Sequence, residues 1–199
     1  MNSNRGFTVV ELMVVIAVAA IGITLAVPSF RDIIERKAAG GAAEAAYEQL
    51  QLAKSQAVKR SKPILVDFNV NGTDWAIGFT DKLAGCNAED TTGANTCTVD
   101  FDNDAGTADN FLMRIQGSNF KNITMSQEVA FANSAALTGG CTGAPAGTAC
   151  FDFVRGLART GEYNFDSANY KLRVQVTMLG NINVCIPSGE KKITGYNDC

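Results

Sequence analysis

The stretch Arg5-Gly6-Phe7-Thr8-Val9-Val10-Glu11-Leu12-Met13-Val14-Val15-Ile16-Ala17-Val18 decides how the rest of this chain is read. A short polar and basic opening, Met1 to Gly6, gives way at Phe7 to an apolar run that lasts to Val27, broken only by two threonines and the single charge of Glu11. As a helix rising about 1.5 Å per residue, Phe7 to Val27 spans about 31 Å, the thickness of a bilayer core. A conventional secretory signal has a shorter apolar stretch, about 7–15 residues, followed by a small-residue cleavage site. A plain membrane anchor accounts for everything except Glu11. A carboxylate within a membrane helix costs about 2.5–3.5 kcal/mol on insertion scales, so it calls for a partner. Cutting the chain between Gly6 and Phe7 creates one, a new α-amino group four residues from Glu11.

The basic residue, glycine, phenylalanine and glutamate fall at the spacing of the type III (prepilin) signal, and GFTVVELMVVIAV resembles the N-termini of type IV pilins and type II secretion pseudopilins. That resemblance implies a dedicated membrane peptidase that cuts after Gly6 and methylates the new N-terminal Phe7. It also implies an assembly role for Glu11, pairing with the terminal amine of a neighbouring subunit. No cofactor is expected.

Pro28 follows the apolar run directly and should kink or end the helix there. Helical spacing then resumes: Ala42, Ala46, Leu50, Ala53 and Ala57 trace one narrow face, with Arg36, Lys37, Glu44, Glu48, Lys54 and Lys59 on the others. An alanine-rich stripe permits close approach of another element rather than filling a deep core. Gly40-Gly41 weakens the middle by about 1 kcal/mol per glycine relative to alanine, so a local bend is expected. Ser61-Lys62-Pro63 ends the helix, because the residue before proline disfavours helical geometry.

Beyond Pro63 the period becomes two. Ile64, Val66, Phe68 and Val70 alternate with Leu65, Asp67 and Asn69, Asn71-Gly72 signals a two-residue hairpin, and Trp75, Ile77 and Phe79 alternate on the return. Leu52 to Phe79 resembles the helix end, first hairpin and tryptophan of the GspH/FimT (FimU-like) branch of pseudopilins and minor pilins. Residues 81–110, rich in Asp, Asn, Thr and Gly, read as a long loop, and short strands are expected at 111–116, 120–131 and 150–155. The clearest late strand is Tyr170 to Met178, turned by Gly180-Asn181 into Ile182–Ile186. One long helix followed by strands predicts an α+β, pilin-like fold in which the helix packs on an antiparallel sheet head with disulfide-closed loops. The expected divisions are a leader at 1–6, a transmembrane and assembly half of the helix at 7–27, an amphipathic half at 28–62 and the head at 63–199.

Six cysteines, Cys86, Cys97, Cys141, Cys150, Cys185 and Cys199, all lie in the head and form no CxxC. Sequence alone leaves fifteen pairings open. Proximity favours 86 with 97, 141 with 150 and 185 with 199, and a head carried across the inner membrane into the periplasm would keep them oxidised. The segment from Leu179 through Cys185-Ile186-Pro187 to Cys199 resembles the tail of pilus-type members of the family.

Charge and composition exclude several functions. The chain has 199 residues and a formal charge of −3, but residues 1–62 carry eight basic and five acidic side chains while residues 63–199 carry nine and fifteen. An acidic head is a poor electrostatic partner for nucleic acid. Some FimT-type proteins bind DNA through Gly-Arg-x-Arg; the matching positions here are Gly180-Asn181-Ile182-Asn183, without either arginine, and Lys191 and Lys192 read as a solvated loop. The chain has no histidine, which removes the usual catalytic base and the commonest metal ligand. Asp100, Asp102, Asp104 and Gly106 resemble a calcium loop, but the glycine is one position late and Phe111 stands where a bidentate glutamate belongs, so neither an enzyme nor a metal site is expected. The reading that remains is a structural subunit. The resemblance implies a minor pilin assembled into a type IV pilus, in a tip or priming complex, or alternatively a minor pseudopilin of type II secretion. Its partners are other pilins or pseudopilins, prepilin peptidase and the inner membrane.

Overall fold

The computed structural model of the chain describes residues 7–100, 110–132 and 140–199. One helix, α1 (Val9–Arg60), precedes eleven strands and a single 3-10 turn at Gly117–Asn119. Thr8 caps its start, its Oγ1 accepting the Glu11 amide at 3.3 Å, and Ser61 ends it in the left-handed region at φ 52°. Lys59 and Arg60 in the last turn complement the helix dipole.

The helix does not end at Pro28: the backbone is helical from Val9 through Arg60. A proline removes one ladder hydrogen bond, and the helix resumes on either side of it. The helix runs on through Gly40-Gly41 as well. A Cβ at Gly40 would lie 3.3 Å from the Tyr196 hydroxyl and one at Gly41 3.5 Å from the Phe120 ring, so these glycines admit neighbours rather than loosen the helix. Among the described residues no helix is long and apolar enough to cross a membrane.

The strands form three sheets. The first has the order β5-β2-β1-β7, built from β1 (Ile64–Asn69), β2 (Ala76–Thr80), β5 (Arg114–Gln116) and β7 (Ala149–Phe151). The second has the order β11-β10-β9-β8-β6, built from β6 (Thr124–Ala132), β8 (Thr160–Asp166), β9 (Lys171–Val176), β10 (Ile182–Ile186) and β11 (Asn197–Asp198). The third is a small ribbon of β3 (Thr98–Asp100) on β4 (Asn110–Leu112). Every pairing is antiparallel except β10 with β11.

Several expectations need correction. The β1–β2 connection is not a two-residue turn: Asn69 pairs with Ala76, and the loop between them closes through the Asp74 amide on the Asn71 carbonyl at 2.9 Å. Val70 lies beyond the strand and is exposed. The strand expected at 111–116 is split, since β4 joins the ribbon and β5 the first sheet. The long loop after residue 80 contains β3 and its disulfide. Met178 does not continue the inward alternation of β9 but is exposed.

The alanine stripe is the floor of the core. Ala39, Ala42, Ala43, Ala46, Leu50, Ala53 and Ala57 are all buried. Small side chains let the helix axis approach the sheets closely, and the bulk is supplied from the strand side. Trp75 is wholly buried, stacks on Phe120 at 5.7 Å and meets Phe165 edge-on at 5.2 Å; its Nε1 donates to the Ile123 carbonyl at 3.1 Å. Phe68 of the first sheet stacks on Tyr163 of the second at 4.2 Å and on Phe131 at 5.3 Å. Aromatic rings therefore join the two sheets over the helix.

Three disulfides close loops at the sheet margins, joining Cys86 with Cys97, Cys141 with Cys150 and Cys185 with Cys199. Arg159, 1% exposed, organises the second of these loops. Its guanidinium donates to the carbonyls of Pro145 at 2.6 Å, Ala144 at 2.8 Å, Cys141 at 3.3 Å and Thr148 at 3.3 Å. Burial pulls its pKa below the ordinary arginine value.

Candidate functional site

The first half of α1 has no partner of its own. Phe7 is 80% exposed, and Val9, Val10, Leu12, Met13, Val14, Val15 and Ile16 are each more than half exposed. From Ala39 onward the same helix is sealed against the head. One element thus carries two surfaces, one covered within the chain and one left for something outside it. A continuous exposed face of large apolar side chains marks an interaction or membrane surface.

Glu11 sits in the first turn of this exposed half, where an acid complements the positive end of the helix dipole. Gly6, the residue before the expected cut, lies outside the described residues. Phe7 and Glu11 stand on either side of the Thr8 cap, at the free end of the helix.

Where the helix enters the head it is tied by polar contacts that the sequence reading did not find. Asp32 accepts from Lys191 Nζ at 2.6 Å and from the Tyr170 hydroxyl at 2.8 Å, and Arg36 lies 3.7 Å away. Asn169 Nδ2 donates to Glu35 at 2.7 Å, and the Tyr196 hydroxyl donates to Glu44. The hydrogen bonds from Lys191 and Tyr170 hold the Asp32 carboxyl below its usual range, and the same carboxylate raises the Lys191 ammonium. Burial, aided by Glu44, raises the Tyr196 phenol. These partners are more than 130 residues apart in sequence. Their side-chain types gave no local periodicity or motif by which to identify them.

The positions weighed for other chemistry are placed as follows. Asn181 and Asn183 are exposed and Ile182 is buried in β10. Lys191 is engaged by Asp32 and Lys192 by Asp198, so each lysine of that loop already faces a carboxylate. Asp100 ends β3, whereas Asp102, Asp104 and Gly106 lie outside the described residues. Among the described residues no group of three or more His, Cys, Asp or Glu side chains could hold a metal ion.

Residues 1–27 match the family model described as the prokaryotic N-terminal methylation motif, and residues 42–180 match the one described as type II transport protein GspH. Two fimbrial proteins of Pseudomonas aeruginosa are 30% identical over 82 residues, which is 41% of this chain and 53% of theirs. The chain thus spans about half the length of the curated relatives it matches. Among solved structures, the minor pseudopilin EpsH from the type 2 secretion system of Vibrio cholerae aligns with 76% of this chain and 98% of its own at 13% identity and a TM-score of 0.45. The type IV minor pilin FimU of Pseudomonas aeruginosa aligns with 75% of this chain and 90% of its own at 14% identity and a TM-score of 0.41. With the methylation motif at its N-terminus and a family match over most of its length, the chain belongs to the GspH family.

Proposed function

We propose that prepilin peptidase cuts this chain between Gly6 and Phe7 and methylates the Phe7 amine. Residues 7–27 hold the product in the inner membrane with the head in the periplasm. The subunit then passes into a type IV pilus through α1, as a minor component at or near the fibre tip. Within the fibre, Glu11 pairs with the terminal amine of a neighbouring subunit, a contact in low dielectric that is worth more than a surface ion pair. The work is packing and one charge pair, with no bond-making chemistry in the head.

The observation that carries this reading is the contrast along α1. Its second half is buried by the head, while its first half presents exposed large apolar side chains from Phe7 to Ile23 and an acid one turn from the proposed new terminus. Three disulfides support an oxidising compartment for the head. A second reading, a minor pseudopilin of type II secretion, is favoured by the family description matched over residues 42–180. The tail from Leu179 to Cys199, similar to that of pilus-type members, favours the pilus.

Mass spectrometry of the mature protein recovered from sheared surface fibres tests both halves of the proposal. A product beginning at N-methylated Phe7 and present in fibres is expected. An intact Met1 overturns the processing step. A correctly processed product missing from fibres, but required for protein export, moves the assignment to secretion.

A further inference from the structure

Beside the point where α1 enters the head lies a cleft of about 390 Å³ lined by Arg31, Ile34, Glu35, Lys121, Asn122, Ser167 and Ala168. The cations around it differ sharply in their engagement. Arg36 and Lys191 share Asp32, Lys171 bridges Asp166 and Glu190, and Lys192 meets Asp198. Arg31 and Lys121 have no carboxylate partner among the described residues, although both are exposed and both line the one cleft. Its only carboxylate, Glu35, uses Oε2 to accept from Asn169, which leaves Oε1 unoccupied among the described residues. Ile34, 58% exposed, supplies an apolar wall.

The position of the cleft identifies what it would meet. Arg31 follows Val27, the end of the apolar run, by four residues, or about 6 Å of helix. A bilayer of about 40–45 Å with a core of about 30 Å leaves a head-group layer of about 5–8 Å on each side. We infer that this cleft binds the head group of an ethanolamine phospholipid, its phosphate between Arg31 and Lys121 and its ammonium on Glu35. Guanidinium and ammonium groups are the usual donors to a phosphodiester. The open carboxylate oxygen of Glu35 can take an N–H donor, which ethanolamine has, a choline head group lacks and a glycerol head group replaces with neutral hydroxyls. The inference rests on the membrane anchoring proposed above.

The full chain, reconstituted in nanodiscs of equimolar phosphatidylethanolamine, phosphatidylglycerol and phosphatidylcholine, tests it by native mass spectrometry of the lipids retained as the disc is stripped. Phosphatidylethanolamine should be enriched over phosphatidylcholine about two- to fivefold, the range an exposed ion pair supplies. Arg31→Gln with Lys121→Gln should erase the enrichment, and Glu35→Gln should shift retention toward phosphatidylglycerol. Equal retention of the three lipids, or enrichment unchanged in the double variant, overturns the inference. Displacement of bound lipid by inorganic phosphate without head-group preference reduces the cleft to a simple anion site and overturns it too. Protease protection of residues 7–27 in the same discs separates the two readings. If the segment is digested, the anchor itself fails; if it is protected and no lipid is preferred, this inference alone fails.

Discussion

Lys191 places its ammonium 2.6 Å from a carboxylate oxygen of Asp32, tying the C-terminal part of the head to the helix 159 residues earlier. The Tyr170 ring lies beneath the same ammonium at 4.5 Å, and its hydroxyl bonds the other oxygen of Asp32. Asp32→Asn should therefore loosen the entry of the helix into the head. Asp32 has a folded-state pKa below its ordinary 3.8, so its contribution is present above that value and is lost as pH falls through the lower, folded one. Lys191 has a folded-state pKa above 10.5, so its contribution is present below 10.5 and is lost as pH rises through the higher value. Amide exchange of residues 30–36 should be faster in Asp32→Asn than in the parent near neutral pH. The two should converge in strong acid. A difference that persists in acid strong enough to protonate Asp32 would contradict the ion pair as its source.

Arg159 serves four carbonyls of one loop from a buried position. Arg159→Met takes the guanidinium donor from all four, although Pro145 keeps the Thr148 hydroxyl and Cys141 the Ala144 amide; it should cost about 2–4 kcal/mol, since each buried group left unsatisfied costs about 1–3 kcal/mol. Arg159→Lys should recover little of this, because a single ammonium cannot reach a fan of carbonyls that a planar guanidinium spans. Urea unfolding of the full chain in detergent measures both.

Gly161 lies under the ring of Phe131, which passes 2.4 Å from where a Cβ would stand. Gly161→Ala must push aside a ring that also stacks on Phe68. A loss of about 1–3 kcal/mol is expected, the usual range for overpacking. Gly161→Ala combined with Phe131→Leu should be less destabilised than the sum of the two single changes.

The Cys185–Cys199 bridge closes a span of 14 residues that includes Lys191, Tyr196 and β11. Replacing both cysteines with serine should cost about 3 kcal/mol by the chain-entropy model. Tyr196 should lose its hold on Glu44 at the same time, visible as faster exchange on the helix around Gly40. Stability equal to the parent would show that the tail is held by its other contacts alone.

Glu11→Ala should leave membrane insertion intact and even favour it, by removing a charge whose insertion cost is about 2.5–3.5 kcal/mol. Incorporation into fibres should fall sharply. Full recovery of the variant in sheared fibres would remove Glu11 from the assembly step.

Much of this architecture is legible in the sequence because it rests on local periodicity. The alanine stripe from Ala42 to Ala57 is buried along the helix, Ser61 ends it, and Gly180-Asn181 turns β9 into β10. The interior strand β8 gives no such signal. Its sequence, Thr-Gly-Glu-Tyr-Asn-Phe-Asp, offers only two aromatic residues as apolar signals. Its burial depends on distant partners: the Phe131 ring over Gly161, and Glu128 and Arg173 bonded to the buried Asn164. β11 is two residues long and exists through its register with Cys185 and Ile186. At the candidate site, Phe7 and Glu11 are proposed from their spacing in the sequence. Asp32, Tyr170, Lys191, Arg31 and Lys121 acquire meaning only once the head brings the tail and the 3-10 turn beside the helix.

The buried stripe has a mechanical consequence. Ala39 to Ala57 lie along about 27 Å of axis, side by side against the strands rather than at one end. A tug on the exposed half of α1, directed along its length, would load all of those contacts together, as in a lap joint, instead of peeling them apart in turn. The Asp32 clasp stands first in line to feel it. A head joined to its stem in this way can be pulled hard without being unzipped.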